Sequence, residues 1–158
     1  MLLRNSKVLR LGLAALVGLA GGQWALAGGF FLTLGNPVAA NAPQAKGAVL
    51  VVRPDGCHEP AKARITGTAE GLVNGARRSV PLKLIALPTP GVYAVNREWP
   101  AEGVWVVNLT GVNLGATTSA IVPIGPKGFV RESSKFMAGT ASEVEITAAL
   151  KALTEGTR

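Results

Sequence analysis

The sequence predicts an all-β domain, an antiparallel sandwich of about seven strands over residues 47–135. Two observations carry that prediction. Short apolar or alternating runs recur at intervals of roughly 8 to 15 residues, each closed by Gly, Pro or Asn. No helix-length segment interrupts residues 47–131, so the helical crossovers that a parallel sheet requires are missing. With 158 residues, 48% of them apolar and one cysteine, the chain can build one hydrophobic core without a disulfide framework.

The strands follow in order. Ala48-Val49-Leu50-Val51-Val52 is a continuous apolar run between Gly47 and Arg53-Pro54-Asp55-Gly56, as in a buried strand. From Ala63 the chain alternates, with Ala63, Ile65, Gly67 and Ala69 on one face and Arg64, Thr66, Thr68 and Glu70 on the other. Asn74-Gly75 is a hairpin signal because both residues tolerate positive φ. Val80, Leu82, Leu84 and Ala86 then alternate with Ser79, Pro81 and Lys83, and Pro81 marks an edge strand or a bulge. After the Pro88-Thr89-Pro90-Gly91 turn comes a strand from Val92-Tyr93-Ala94-Val95 towards Trp99-Pro100. Val104-Trp105-Val106-Val107-Asn108-Leu109 is the clearest strand, with Trp105, Val107 and Leu109 sharing an apolar face. A turn near Asn113, a strand over Thr117 to Ile124, a Gly125-Pro126-Lys127-Gly128 turn and a short strand Phe129-Val130-Arg131 complete the set.

The two ends read differently. Arg4, Lys7 and Arg10 precede an uncharged run from Leu11 to Leu34, the form of an export leader over residues 1–40, a hydrophobic helix ahead of the sandwich. Two cut sites fit: Ala25-Leu26-Ala27, and Val38-Ala39-Ala40 just after Gly35-Asn36-Pro37. Cleavage after Ala40 is the expectation, because cutting after Ala27 leaves Gly28-Gly29-Phe30-Phe31-Leu32 as an apolar start. The alternative is an uncleaved membrane anchor over residues 11–34, which would make the chain a membrane-anchored accessory subunit. Both readings export the rest of the chain, to the periplasm or beyond. Asn41 to Lys46 then reads as a linker, and residues 136–158 as a tail. In that tail Ser142-Glu143-Val144-Glu145 has capping-box form ahead of an alanine-rich helix, although the alternation at Glu143-Val144-Glu145-Ile146 would also suit a strand.

Charge points to no polyanion. The whole chain carries 16 basic and 9 acidic residues, +7; without Arg4, Lys7 and Arg10 the balance is 13 against 9, or +4. Those cations are scattered, with Arg77-Arg78 the one adjacent pair, whereas nucleic-acid binding calls for a clustered basic stripe. No catalytic constellation is legible either. The single histidine, His58, has no triad partners in sequence, no G-x-S-x-G motif occurs, and no glycine-rich phosphate loop leads from a strand into a helix. Glu98 and Glu102 flank a turn as solvated acids would. The chain reads as a non-enzymatic module that binds a protein or a cell-envelope component.

Two places could carry such binding. Cys57-His58-Glu59 joins the one cysteine to the one histidine in a turn, and a thiolate with an imidazole suits copper(I) or zinc; Glu59, Asp55, Met137 or water would have to complete the site. The same unpaired Cys57 could instead link two chains by a disulfide. Trp99 and Trp105 both read better as core than as a binding platform; Trp99, beside a turn and so partly exposed, is the better surface-recognition candidate of the two. Asn108-Leu109-Thr110 matches a glycosylation sequon but lies in an apolar strand, so no glycan is expected there.

Gly91-Val92-Tyr93-Ala94-Val95, followed by Trp99-Pro100-Ala101-Glu102-Gly103-Val104-Trp105-Val106-Val107, resembles a pattern of small exported bacterial immunoglobulin-like domains, including the YtkA-like and FixH-like group. The resemblance implies an immunoglobulin-like sandwich in the periplasm or on the outer face, a hairpin between the Tyr93 and Trp105 strands, and a link to copper or oxidase assembly that here could rest only on Cys57 and His58.

Overall fold

Residues 29–56 and 58–156 are described by a computed structural model of the chain. Its elements in chain order are β1 (Phe31–Gly35), β2 (Ala48–Asp55), β3 (Arg64–Val73), β4 (Ala76–Pro81), β5 (Leu84–Ala86), β6 (Tyr93–Asn96), β7 (Val104–Asn113), β8 (Ala116–Gly125), β9 (Gly128–Phe129), β10 (Lys135–Ala138) and the helix α1 (Glu143–Gly156). They form two antiparallel sheets. The first has the order β1-β2-β6-β5; the second has the order β10-β8-β7-β3-β4, with β9 beside β8.

The sheets stack through one core. Leu32, Leu34, Leu50, Val52 and Val95 from the first sheet meet Ile65, Ala69, Trp105, Val107, Leu109, Ala120 and Val122 from the second. Both outer faces are also covered. The segment between β1 and β2 lies over the first sheet, burying Ala45 with Val51, Leu87 and Ala94. Helix α1 lies over the second, where Ile146, Ala149 and Leu150 pack on Val106 and Ile121. This layering explains why Val104-Trp105-Val106-Val107 is apolar without alternation: odd residues face the sandwich core and even ones face the helix.

Much of the local reading holds. Asn74 and Gly75 have φ of 50° and 77° and close the β3–β4 hairpin. Pro81 ends β4, the edge strand of its sheet. Ser142 and Glu145 form the capping box: the Ser142 amide donates to the Glu145 carboxylate at 2.8 Å, and the Glu145 amide donates to the Ser142 hydroxyl at 3.3 Å.

Other boundaries move. Phe31–Gly35, read as the end of an apolar leader, is a strand paired with β2 from Phe31↔Asp55 to Gly35↔Val51. Residues 41–46, read as a linker, pack on the sheet through Ala45, which is 2% exposed. The β7–β8 turn is Leu114-Gly115, at φ 47° and 84°, while Asn113 ends β7. The alternating run 79–86 is divided between sheets, β4 in one and β5 in the other, because the chain crosses at Leu82-Lys83 with the Leu82 amide on the Gly67 carbonyl. Strand β9 stops at Phe129, a single 3₁₀ turn takes Arg131–Ser133, and β10 is an additional strand beside β8.

The expected hairpin between the Tyr93 and Trp105 strands does not form. Strand β6 pairs with β2 and β5, whereas β7 pairs with β3 and β8, so residues 97–103 are a corner between sheets. Of the predicted leader over residues 1–40, residues 1–28 lie outside the described residues, while its end at Phe31–Gly35 is strand rather than helix. Among those described, no helix is long and apolar enough to cross a membrane.

Candidate functional site

The corner between β6 and β7 is held by three devices. Trp99 plugs into the sandwich, 4% exposed, with its ring 6.1 Å from that of Trp105. The Arg97 guanidinium donates to the carbonyls of Pro100 and Ala101, each at 3.2 Å, and lies 6.0 Å from the centre of the Trp99 ring. The Trp105 indole N–H donates to the Glu102 carbonyl at 2.8 Å. Gly103 sits among them at φ 86°, where a Cβ would come within 2.3 Å of the Leu72 carbonyl oxygen.

Between this corner, the ends of β7 and β8 and the last turns of α1 runs a groove of about 770 Å³. Its lining is largely apolar: Val104, Trp105 and Ile124 from the strands, Ala149 and Leu153 from the helix. Among the described residues, the charged ones lining it are Arg97 and Lys135, and none is a carboxylate. The helix wall is fixed in place too. Ser119 on β8 donates to the Gly139 carbonyl and accepts the Ala141 amide at 3.1 Å, and Thr118 donates to the Met137 carbonyl at 3.1 Å, so the chain entering α1 is tied to the sheet. An apolar trough with two cations and rigid walls has the chemistry of a small-ligand site. Sequence reading missed it, because its walls come from four separate segments; the local signal was the Ala149, Ala152, Leu153 stripe at helical spacing.

The residues singled out from sequence stand elsewhere. The surface-recognition role for Trp99 is corrected: its ring is shut between the sheets, and its Nε1 finds no hydrogen-bond partner among the described residues. Cys57 lies outside the described residues, and with it the question of a Cys57 disulfide. His58 is exposed at φ 64°, and its carbonyl accepts the Asn113 side-chain amide at 3.0 Å. The groups that would complete a copper site are engaged. Asp55 is paired with Arg53 and accepts the Gly56 amide at 2.9 Å, Glu59 is paired with Lys62 at 2.9 Å, and Met137 packs beneath α1. No group of three His, Cys, Asp or Glu side chains among the described residues could hold a metal. Glu98 and Glu102 are exposed on the corner.

One buried carboxylate serves the fold. Glu70, 7% exposed on the helix side of β3, accepts from Ser79 at 2.7 Å and from Arg77 at 2.9 Å, and Arg77 reaches on to Glu143 at the start of α1 at 3.5 Å. Burial opposes its ionisation, but hydrogen bonds from Thr68, Ser79 and Arg77 together with the Arg77 charge hold its pKa below the ordinary value.

No family model, curated protein or solved structure matches this chain.

Proposed function

We propose that the chain is an exported, non-catalytic immunoglobulin-like sandwich that binds an anionic amphiphile of the cell envelope, an acyl chain bearing an acidic head. The strand order supports the fold assignment. Strands β1-β2-β6-β5 facing β8-β7-β3-β4 follow the A-B-E-D and G-F-C pattern of immunoglobulin domains, with β4 as an added C′ strand. In place of the usual tryptophan on the third strand, Trp105 on β7 fills the core opposite Gly71 of β3.

The observation that carries the binding reading is the groove beneath α1, apolar along its walls and, among the described residues, with Arg97 and Lys135 as its charges. An alkyl chain would be desolvated against Val104, Ile124 and Leu153, and a carboxylate or phosphate head would gain charge-assisted hydrogen bonds at the two cations. Three side chains with catalytic potential are engaged in the architecture: Glu70 ties β3 to β4, Ser119 ties β8 to the helix entry, and Ser142 caps the helix.

The test is saturable displacement of an anionic naphthalene dye by palmitate on the purified protein, with hexadecanol as the uncharged control. Palmitate is expected to bind one to one and hexadecanol at least tenfold more weakly. Ala152→Trp, at an exposed helix position lining the groove, and Lys135→Glu should each weaken palmitate about tenfold, about 1.4 kcal/mol, without moving the melting temperature. Palmitate binding that neither variant disturbs, or no saturable binding, overturns the proposal.

A further inference from the structure

We infer that the exported chain is cut between Ala27 and Gly28, and that Val38-Ala39-Ala40 is not a processing site. This shares with the proposed function the reading of the N-terminus as an export leader, and nothing of the groove. Both sequences place alanine one position before the cut and Ala or Val three before it, so the cleavage pattern itself does not separate them. The fold does. Cutting after Ala40 would remove all of β1, and with it Leu32 and Leu34, which are 3% and 2% exposed in the sandwich core. The free edge of β2 would then expose the backbone groups that now pair from Phe31↔Asp55 to Gly35↔Val51, and the Arg131 guanidinium would lose the Leu34 carbonyl it donates to.

The objection to the earlier site was the apolar start it leaves. The structure removes that objection, because Leu32 and Leu34 point inward, Phe30 is half-buried with its ring beside Gly111, and the Gly29 carbonyl seats so closely on Gly56 that a Cβ there would be 2.2 Å from its oxygen. Those apolar residues are the first strand of the domain rather than the last turns of a leader. Cleavage after Ala27 keeps the whole strand and its lead-in. The step is hydrolysis of one amide: water adds a hydroxyl to the Ala27 carbonyl carbon and a proton to the Gly28 nitrogen as the C–N bond breaks.

The full chain, expressed in an exporting bacterial host, is read by intact mass. The expected N-terminus is Gly28. Ala27→Phe should block processing and accumulate precursor, while Val38→Arg, at a position 87% exposed and so without cost to folding, should leave the N-terminus unchanged. An N-terminus at Asn41, or a cut lost in Val38→Arg, overturns the assigned site while leaving the leader reading intact. A wild-type chain retained whole in the membrane overturns both.

Discussion

At the scale of single residues, one tight constraint in the core lies where a side chain is missing. Gly71 lies opposite Trp105 in the β3–β7 ladder, and a Cβ on it would sit 2.4 Å from Cε3 of the indole. The ring cannot retreat, since its N–H is fixed to Glu102 and its far side meets Trp99. Gly71→Ala should therefore destabilise the domain by about 1–3 kcal/mol, as overpacking does, seen as a lower urea midpoint at unchanged slope. Gly29→Ala, with nothing within 4 Å of its added carbon, is the matched control and should leave the midpoint in place. Equal effects, or none, would show that the Trp105 contact is not tight. Trp105 was legible as core because its neighbours Val107 and Leu109 share its face. Trp99 was legible only in part: its place beside a turn reads as partly exposed, and its full burial depends on a corner that turns the chain back between the sheets, a feature with no local signature.

At the scale of elements, what is local was legible and what is shared was not. The α1 cap is wholly contained in Ser142–Glu145, so its reciprocal hydrogen bonds follow from four residues. Ser142→Ala removes the hydroxyl that accepts the Glu145 amide and should cost about 1 kcal/mol of stability, measured by chemical denaturation. Because α1 forms one wall of the groove, the same variant should weaken palmitate, and Ser142→Asp, which restores a cap acceptor, should recover both. Loss of stability without that recovery would point to packing at Ser142 rather than capping. Strand β1 illustrates the opposite case. Its Leu32 and Leu34 alternate as a strand should, but they continue an apolar run whose composition a leader core and a buried strand share, so periodicity over five residues could not separate them. The β4–β5 split was hidden for a related reason. Val80, Leu82 and Leu84 all pack on the same core, so the side-chain alternation persists while the backbone changes sheets.

At the scale of the whole molecule, two sheets with both outer faces covered could be read only in outline from sequence, since strand order is set by pairing across the chain. Acid tests how that assembly is joined. Asp55 is held below its ordinary 3.8 by the Gly56 amide first and then by Arg53; Glu145 is held below its ordinary 4.5 by Ser142; and for Glu70 burial, the largest single effect, opposes ionisation but is outweighed by Thr68, Ser79 and Arg77 together, which hold it below 4.5. Each has a folded pKa lower than its unfolded one, so each contributes stability that is complete above the ordinary value and lost as the pH falls through the folded one. Protonating nine side-chain carboxylates also leaves unbalanced the 13 Lys and Arg charges that remain without Arg4, Lys7 and Arg10, a repulsion that salt screens. The urea midpoint should thus hold near neutral pH and fall from about pH 4.5 downward. Of the three, Glu70 alone is buried, and it joins β3 through Arg77 to β4 and on to the helix start, so it should dominate the part of that fall that salt does not restore. Glu70→Gln keeps the shape but removes the titration. It should be less stable than the parent at pH 7, and its high-salt stability should change less between pH 5 and about pH 3. If the variant in high salt falls as steeply as the parent, acid lability resides in the exposed carboxylates, and the Glu70–Arg77 link is not what joins helix to sheet.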